Sequence, residues 1–589
     1  MYQRWIAFGL TFVFATPMLA SDHDPLLRMP REANLVVVVE QPRKLVETLR
    51  NLDAYQSAQT LPQVREALNS TTLRRFYQLL GYYERALGTD WPQLLDKLAG
   101  NGIAFGTVTG TDPAPTLLVM QGTDEQTTTE FVKLALKALE EEVARQATGG
   151  ANADDSKLRH ATYKGCETVH LGKEFHAARV GAVLYIANQE VALQKGLDLA
   201  VSKSSNGSVG ALASPKAARK LLGGEPLAWV WFDFAKSKES QATKDFFEAT
   251  RKDFLQTIVL GSSIDAVRRS DFITAGLYGT SAGLKAVLKL PAKRADLPPE
   301  FVLHAPPAGQ PASLPLLEPK GVVYSQSFYL DFGTLWIDRK KLLNEQQLKD
   351  FEKADKDISK LLPGTTFGKL LEMSGPYHRV VAVNTVEKLY DKSPDVIYPA
   401  AALVTSMRDP QFGKTATSAL RAAGFVASTQ TGVKMSDETC DGVKIVTYRF
   451  PEDKPFPNDA DPGNLRFNTA PSFAVIGEHL VVASRPSLIK ELIPELRKTP
   501  GPAKSSTAVW RGKGYGHGAA EFIRNYPDAL ITNTVLTQGI GLDEAKKQVR
   551  QISDWLQTLG NPTLEIDHQT DAYELKFEWK FGPSVAKQK

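Results

Sequence analysis

Residues 165–187 read GCETVHLGKEFHAARVGAVLYIA, three short strand patterns (Glu167–Leu171, Ala177–Val180 and Val183–Ala187) separated by Gly165, Gly172 and Gly181. Parallel neighbours need crossovers of a dozen or more residues, so runs this short and this close predict an antiparallel meander. Immediately upstream, Val132, Leu136, Leu139 and Val143 recur at helical spacing. Thr127-Thr128-Thr129-Glu130 offers that helix a capping box, and Gly149-Gly150 ends it. A helix beside a meander is an α+β arrangement, mainly antiparallel.

Working outward, the same order of features recurs in the second half. Thr162-Tyr163-Lys164-Gly165 parallels Thr439-Cys440-Asp441-Gly442. Val180-Gly181, Leu184 and Ala187 parallel Ile476-Gly477, Leu480 and Ala483, and Leu193 and Lys195 continue at Leu488 and Lys490. Earlier in each half, Val36–Glu40 matches Ser325–Leu330, and Gly88-Thr89 with Leu94-Leu95 matches Gly364-Thr365 with Leu370-Leu371. Leu117–Gln121 leads through Asp124 to a helix as Ala402–Met407 leads through Asp409. Each half closes on an alternating strand, Leu284–Leu290 and Tyr573–Phe581. Ordered matches at gradually drifting spacing predict two diverged copies of one sheet-plus-helix unit.

The copies are expected at residues 33–290 and 321–582, joined by a proline-rich connector over residues 291–320. Eight prolines between Pro291 and Pro319 fix φ and withhold donors, so this stretch reads as a semi-rigid linker. Ser/Gly-rich Ser202–Ser214 and Thr499–Ser506 divide the halves into subdomains of about 33–200 and 215–290, then about 321–497 and 507–582.

The N-terminus has one charge, Arg4, before an apolar run from Trp5 to Ala15 and then Pro17-Met18-Leu19-Ala20. This pattern is a signal peptide over residues 1–20, shorter than the ~20 apolar residues of a spanning helix. Export to the periplasm or the extracellular space follows, with no transmembrane span after cleavage; retention as an uncleaved anchor is the alternative. Across 589 residues, 42% hydrophobic and 23% charged is ordinary globular composition, and the net charge of +4 is dispersed. The longest basic run is Arg339-Lys340-Lys341, which is no nucleic-acid footprint. Cys166 and Cys440 stand far apart in the chain, and spacing alone does not decide whether they pair.

Candidate sites are few. Gly279-Thr280-Ser281-Ala282-Gly283 has the spacing of a nucleophile elbow, but Leu284–Leu290 alternates as a strand where that chemistry needs a helix, so a hairpin turn is expected. His170 and His176 flank a turn and can meet across a hairpin, although no third ligand accompanies them. Asp459 and Asp461 lie in a loop whose Pro462 and Gly463 break calcium-loop order. Gly512, Gly514, Gly516 and Gly518 alternate with Lys513, Tyr515 and His517, and read as a flexible turn, since no Lys-Ser or Lys-Thr follows. Trp229 and Trp231 share a strand face and are the weak ligand-binding candidates, since indole faces stack on sugars or line apolar grooves. Cleavage after Ala20 would expose Ser21-Asp22-His23, whose amine, two amides and imidazole can enclose Cu(II) or Ni(II) in a square plane.

The duplicated layout, the N-terminal segment and the runs Val36–Leu49, Gly88–Gly100 and Ala182–Leu197 resemble a family of large exported bacterial proteins of unknown function. The resemblance rests on hydrophobic framework, implies fold and location only, and carries over no site. With no convergent acid, base or nucleophile, no resident cofactor is expected. The sequence therefore points to a noncatalytic binding or scaffold protein of the cell envelope acting on an unknown envelope ligand or protein. An extracytoplasmic hydrolase with scattered site residues is the alternative.

Overall fold

Leu35–Val39, five apolar β-favouring residues, forms strand β1 and lies near the middle of the first sheet. Side chains alternate across a strand. Val36 and Val38 therefore enter one core with Leu117, Val119, Tyr185 and Trp231, while Val39 enters another with Ile103, Met120 and Leu184. A sheet covered on both faces explains why β1 carries no polar residue.

The computed structural model describes residues 24–581 except 148–157, 203–204, 282, 308, 361, 363, 455, 457–459 and 499–505. The chain forms two units, each α+β with a large antiparallel sheet. Described residues up to Ser240, with Ser270–Pro291, make the first. Its strands after β1 are β2 (Ile103–Thr107), β3 (Thr116–Gln121), β4 (Leu158–Tyr163), β5 (Cys166–Leu171), β6 (Phe175–Val180), β7 (Val183–Ala187), β8 (Ala228–Asp233), β9 (Phe272–Thr280) and β10 (Gly283–Leu290). They pair in the order β4-β5-β6-β7-β3-β2-β1-β8-β9-β10.

The second unit has β11 (Val322–Tyr329), β12 (Ser374–Val383), β13 (Ala400–Met407), β14 (Lys434–Cys440), β15 (Val443–Arg449), β16 (Ser472–Ile476), β17 (His479–Ala483), β18 (Trp510–Gly514), β19 (Asn561–His568) and β20 (Tyr573–Lys580). Their order, β14-β15-β16-β17-β13-β12-β11-β18-β19-β20, is that of the first unit with each strand number raised by ten. Turns match as well. Lys164-Gly165 between β4 and β5, and Asp441-Gly442 between β14 and β15, all have positive φ (45°, 83°, 49° and 74°). That is the twist a two-residue antiparallel turn requires, and glycine reaches it without strain.

Two expectations about boundaries change. Residues 291–320 are not a semi-rigid linker standing between the two units, because Phe301, Leu303, Ala312 and Leu317 are buried in cores of the second unit. Apolar side chains between the prolines give the segment something to bury. Gln241–Arg269, expected within 33–290, also belongs to the second unit, where Ile258 packs with Phe301, Leu303 and Leu330. A smaller correction concerns the helix Glu125–Ala147. Asp124, not the threonine run, caps it, its Oδ1 accepting from Thr127 N at 2.9 Å.

Candidate functional site

One row of directly opposed residues runs across each sheet at the same place. In the first unit it reads Tyr185, Val119, Ala104, Val38, Trp229, Gly276, Val287 from β7 to β10. Every side chain in it is apolar or aromatic. Trp229 and Trp231 are 3% and 0% exposed, packed with Met29, Leu193, Leu197 and Ala218. The indole N–H of Trp231 donates to Ser214 Oγ at 3.1 Å. The two tryptophans are thus core, not a stacking platform. The helices Glu190–Ser202 and Ala213–Leu222 contribute to this core and leave neither indole face open to a ligand.

In the second unit the corresponding row reads Val481, Val404, Arg379, Ser327, Arg511, Glu565, Lys576 from β17 to β20. Arg511 stands where Trp229 stands, and Lys513, two residues on, stands where Trp231 stands. Arg379 is 6% exposed and its side chain makes no hydrogen bond or ion pair among the described residues; its Nε is enclosed without a partner. Burial alone pulls its pKa down to about 10, so it remains cationic at neutral pH. Ser327 is 0% exposed, and its hydroxyl has no partner.

Around them, Arg511 donates from Nη2 to Leu314 O at 2.8 Å, while its Nε is enclosed and unpartnered. Glu565 pairs with Lys576 at 2.5 Å, and Glu318 with Lys513 at 2.7 Å. His479, near enough for the Arg379 charge to act on it, is pushed down to about 4, first by burial and then by that charge. Its Nδ1 has no partner either.

Chain length explains why this face can carry charge. From Ser208 to Ala228 is 20 residues, enough for the helix Ala213–Leu222 that packs on β8 and β9. From Ser506 to Trp510 is 4 residues, so the second unit has no room for a counterpart. The isolated bridge Pro30–Ser208 of the first unit has its match in Ser313–Ser506. Part of the proline-rich segment therefore occupies the edge of this face, tied by Leu317 N donating to Ser325 Oγ at 3.1 Å.

The histidine pair does meet. His170 and His176 are opposed across β5 and β6, with their Nδ1 atoms 2.7 Å apart. Among the described residues no group of three His, Cys, Asp or Glu side chains could hold a metal ion. The counterpart pair in the second unit is Thr447 and Ser472, opposed across β15 and β16 and hydrogen-bonded at 3.0 Å in a buried setting.

Other sequence candidates take ordinary places. Thr280 pairs with Gly283, so Ser281 sits in a hairpin turn between β9 and β10. The glycine run is not a flexible turn: Gly512 is in β18, and Gly516 and Gly518 open the helix Gly516–Asn525. A Cβ on Gly518 would lie 2.1 Å from Val322 O, which is why only glycine fits. Cys166 and Cys440 are free thiols. Ser21, Asp22, His23 and the expected signal peptide lie outside the described residues, as does Asp459. No helix among the described residues is long and apolar enough to cross a membrane. Arg379, Ser327, Arg511 and His479 were not singled out by sequence. The available signal was a lone charge in the apolar run His378–Val383, and strand register is needed to read it.

No family model matches the chain, and no curated protein matches it. A solved structure titled "Structure of crystal form I of TP0453" is similar over 47% of this chain and 81% of its own, at 9% identity and a TM-score of 0.23. Likeness at that level carries no argument about function.

Proposed function

We propose that this chain is an exported, noncatalytic binding or scaffold protein of the cell envelope, built from two diverged copies of one α+β unit. In this reading the first copy is structural and the second presents the binding face. The observation that carries it is the contrast between the two rows. At matched positions of one strand order, Val38, Ala104 and Trp229 are replaced by Ser327, Arg379 and Arg511. A buried cation costs stability and adds nothing to a core, and Arg379 has no charged counterpart in the first unit's row, where the unpartnered atoms are the neutral Tyr185 hydroxyl and Trp229 indole N–H; this contrast in charge favours recognition over packing. The matched turns and the matched Pro30–Ser208 and Ser313–Ser506 bridges support duplication. Residues 1–20 and the resemblance to exported bacterial proteins support the location.

The test is native mass spectrometry of intact protein taken from its own envelope, alongside labelling with a serine-reactive fluorophosphonate. A noncovalent mass released unchanged on denaturation, with no labelling, is the expected result. Stoichiometric labelling of a serine would establish the hydrolase instead.

A further inference from the structure

Resting on the binding reading above, we infer that the second unit takes a compact oxyanion, a carboxylate or a phosphate group, against Arg379 with Ser327 beside it. A guanidinium largely withdrawn from water, as that of Arg379 is, is unfavourable unless an anion and hydrogen bonds compensate it. The protein's own carboxylates do not supply that compensation. Glu565 is paired with Lys576 and Glu318 with Lys513, and these two act on Arg511. Among the described residues no carboxylate forms an ion pair with Arg379, so none offsets its burial.

The donor set has the chemistry of an oxyanion site. A guanidinium is a planar fork of N–H donors matched to two oxygens of a carboxylate or phosphate, and charge-assisted bonds of this kind are the strong ones. Ser327, directly opposite Arg379 on β11, adds a hydroxyl that lacks a partner. Arg511, opposite Ser327 on its other side, brings a second positive charge into the same row. Adjacent strands are about 4.8 Å apart, so the two arginine backbones stand about 10 Å apart with the serine between. Val404, which flanks Arg379 on β13, is 1% exposed and bounds the site with an apolar wall. A small anion suits this row better than an extended one.

The experiment titrates the full mature chain with inorganic phosphate and, separately, with acetate. Sodium chloride at matched ionic strength is the control, and melting temperature and calorimetry are the readouts. One of the two oxyanions should raise the melting temperature saturably with a single calorimetric site, and whichever does so identifies the source. Arg379→Met should abolish the response while melting no lower than wild type without anion, because an apolar replacement removes a buried unpaired charge. Ser327→Ala should weaken affinity about five- to tenfold, and it keeps the test decisive if the methionine variant does not fold. Responses no greater than chloride, or an equal response in Arg379→Met, would overturn the inference. If neither oxyanion acts while an uncharged ligand co-purifies with wild type, the oxyanion fails and the binding reading stands. Turnover of a substrate would sink the binding reading whatever the anion result.

Discussion

The Nδ1 atoms of His170 and His176 lie 2.7 Å apart across the β5–β6 ladder, and their outer contacts fix both rings. His176 Nε2 faces the carbonyl of Lys173 at 3.1 Å, which can only accept, so that nitrogen carries the proton. In a neutral ring His176 Nδ1 must then accept, and His170 Nδ1–H donates to it. His170 Nε2 in turn accepts from the Thr168 hydroxyl at 2.9 Å. One direction of hydrogen bonding satisfies all four atoms, and it holds only while both rings are neutral.

This makes the hairpin acid-sensitive. Burial first, and His176 second, hold His170 below its ordinary 6.5, with Glu190 acting the other way. A base whose folded pKa is lowered contributes stability that is complete above 6.5 and is lost as pH falls below it. Protection factors of β5 and β6 amides, corrected for the intrinsic pH dependence of exchange, should therefore fall as pH drops below 6.5. The double variant His170→Thr with His176→Ser, which installs the Thr447–Ser472 chemistry of the second unit, should show no such fall. Identical pH profiles in the two proteins would refute the assignment.

A larger acid effect is expected from the second unit. His304, inside the proline-rich segment, faces Ile258 O through Nε2 at 2.6 Å, and burial pushes it down to about 4. His479 and His568 are likewise pushed down, to about 4 and about 3, first by burial. Between pH 6.5 and about 4 the unfolded chain binds protons these folded sites refuse, so stability falls with pH by about 1.4 kcal/mol per pH unit for each site. Urea midpoints measured across that range should drop steeply. His304→Gln should start lower at pH 7 yet fall less steeply, and an unchanged slope would show that His304 does not titrate there.

Local patterns carried most of the fold into view. The meander after residue 165, the strand at Val36 and the closing strands are signalled by alternation and by glycine turns, so their sequence reading and their structure agree. Packing over long separations was not visible. Nothing local says that Ile258 will meet Phe301 and Leu330, which is why sequence pattern alone does not place Gln241–Arg269 and the proline-rich segment in the second unit. The candidate site was hidden for a similar reason. Trp229-Val230-Trp231 draws the eye as aromatic, and Arg511-Gly512-Lys513 looks like a solvated turn. Only the register across β1 and β11 shows that the two stretches occupy matching positions in the two strand orders.

Close packing of the second unit predicts a sharp contrast between two glycines in helices. A Cβ on Gly518 would lie 2.1 Å from Val322 O, and that backbone cannot withdraw while β11 is held by β12 and β18. Gly518→Ala should cost about 3 kcal/mol or more. A Cβ on Gly81, in the helix Thr71–Leu87, meets nothing within 4 Å, so Gly81→Ala should stabilise by about 1 kcal/mol through helix propensity. Chemical denaturation of both variants checks the pair, and equal effects would mean that the approach of the helix to β11 is wrong.

The last prediction separates core from site. Trp231 is among the largest fully buried side chains of the chain, and its N–H is satisfied by Ser214 rather than left for a ligand. Trp231→Ala should therefore destabilise by about 3–5 kcal/mol, the range for removing a large buried aromatic. Trp231→Phe keeps much of the volume but leaves the Ser214 hydroxyl without its donor, so about 1–2 kcal/mol is expected. Oxyanion affinity in the second unit should be unchanged in the phenylalanine variant at temperatures where it stays folded. Denaturant midpoints give the first two quantities and calorimetry with phosphate or acetate gives the third. A phenylalanine variant as stable as wild type that no longer binds would return Trp231 to the binding surface and remove it from the core.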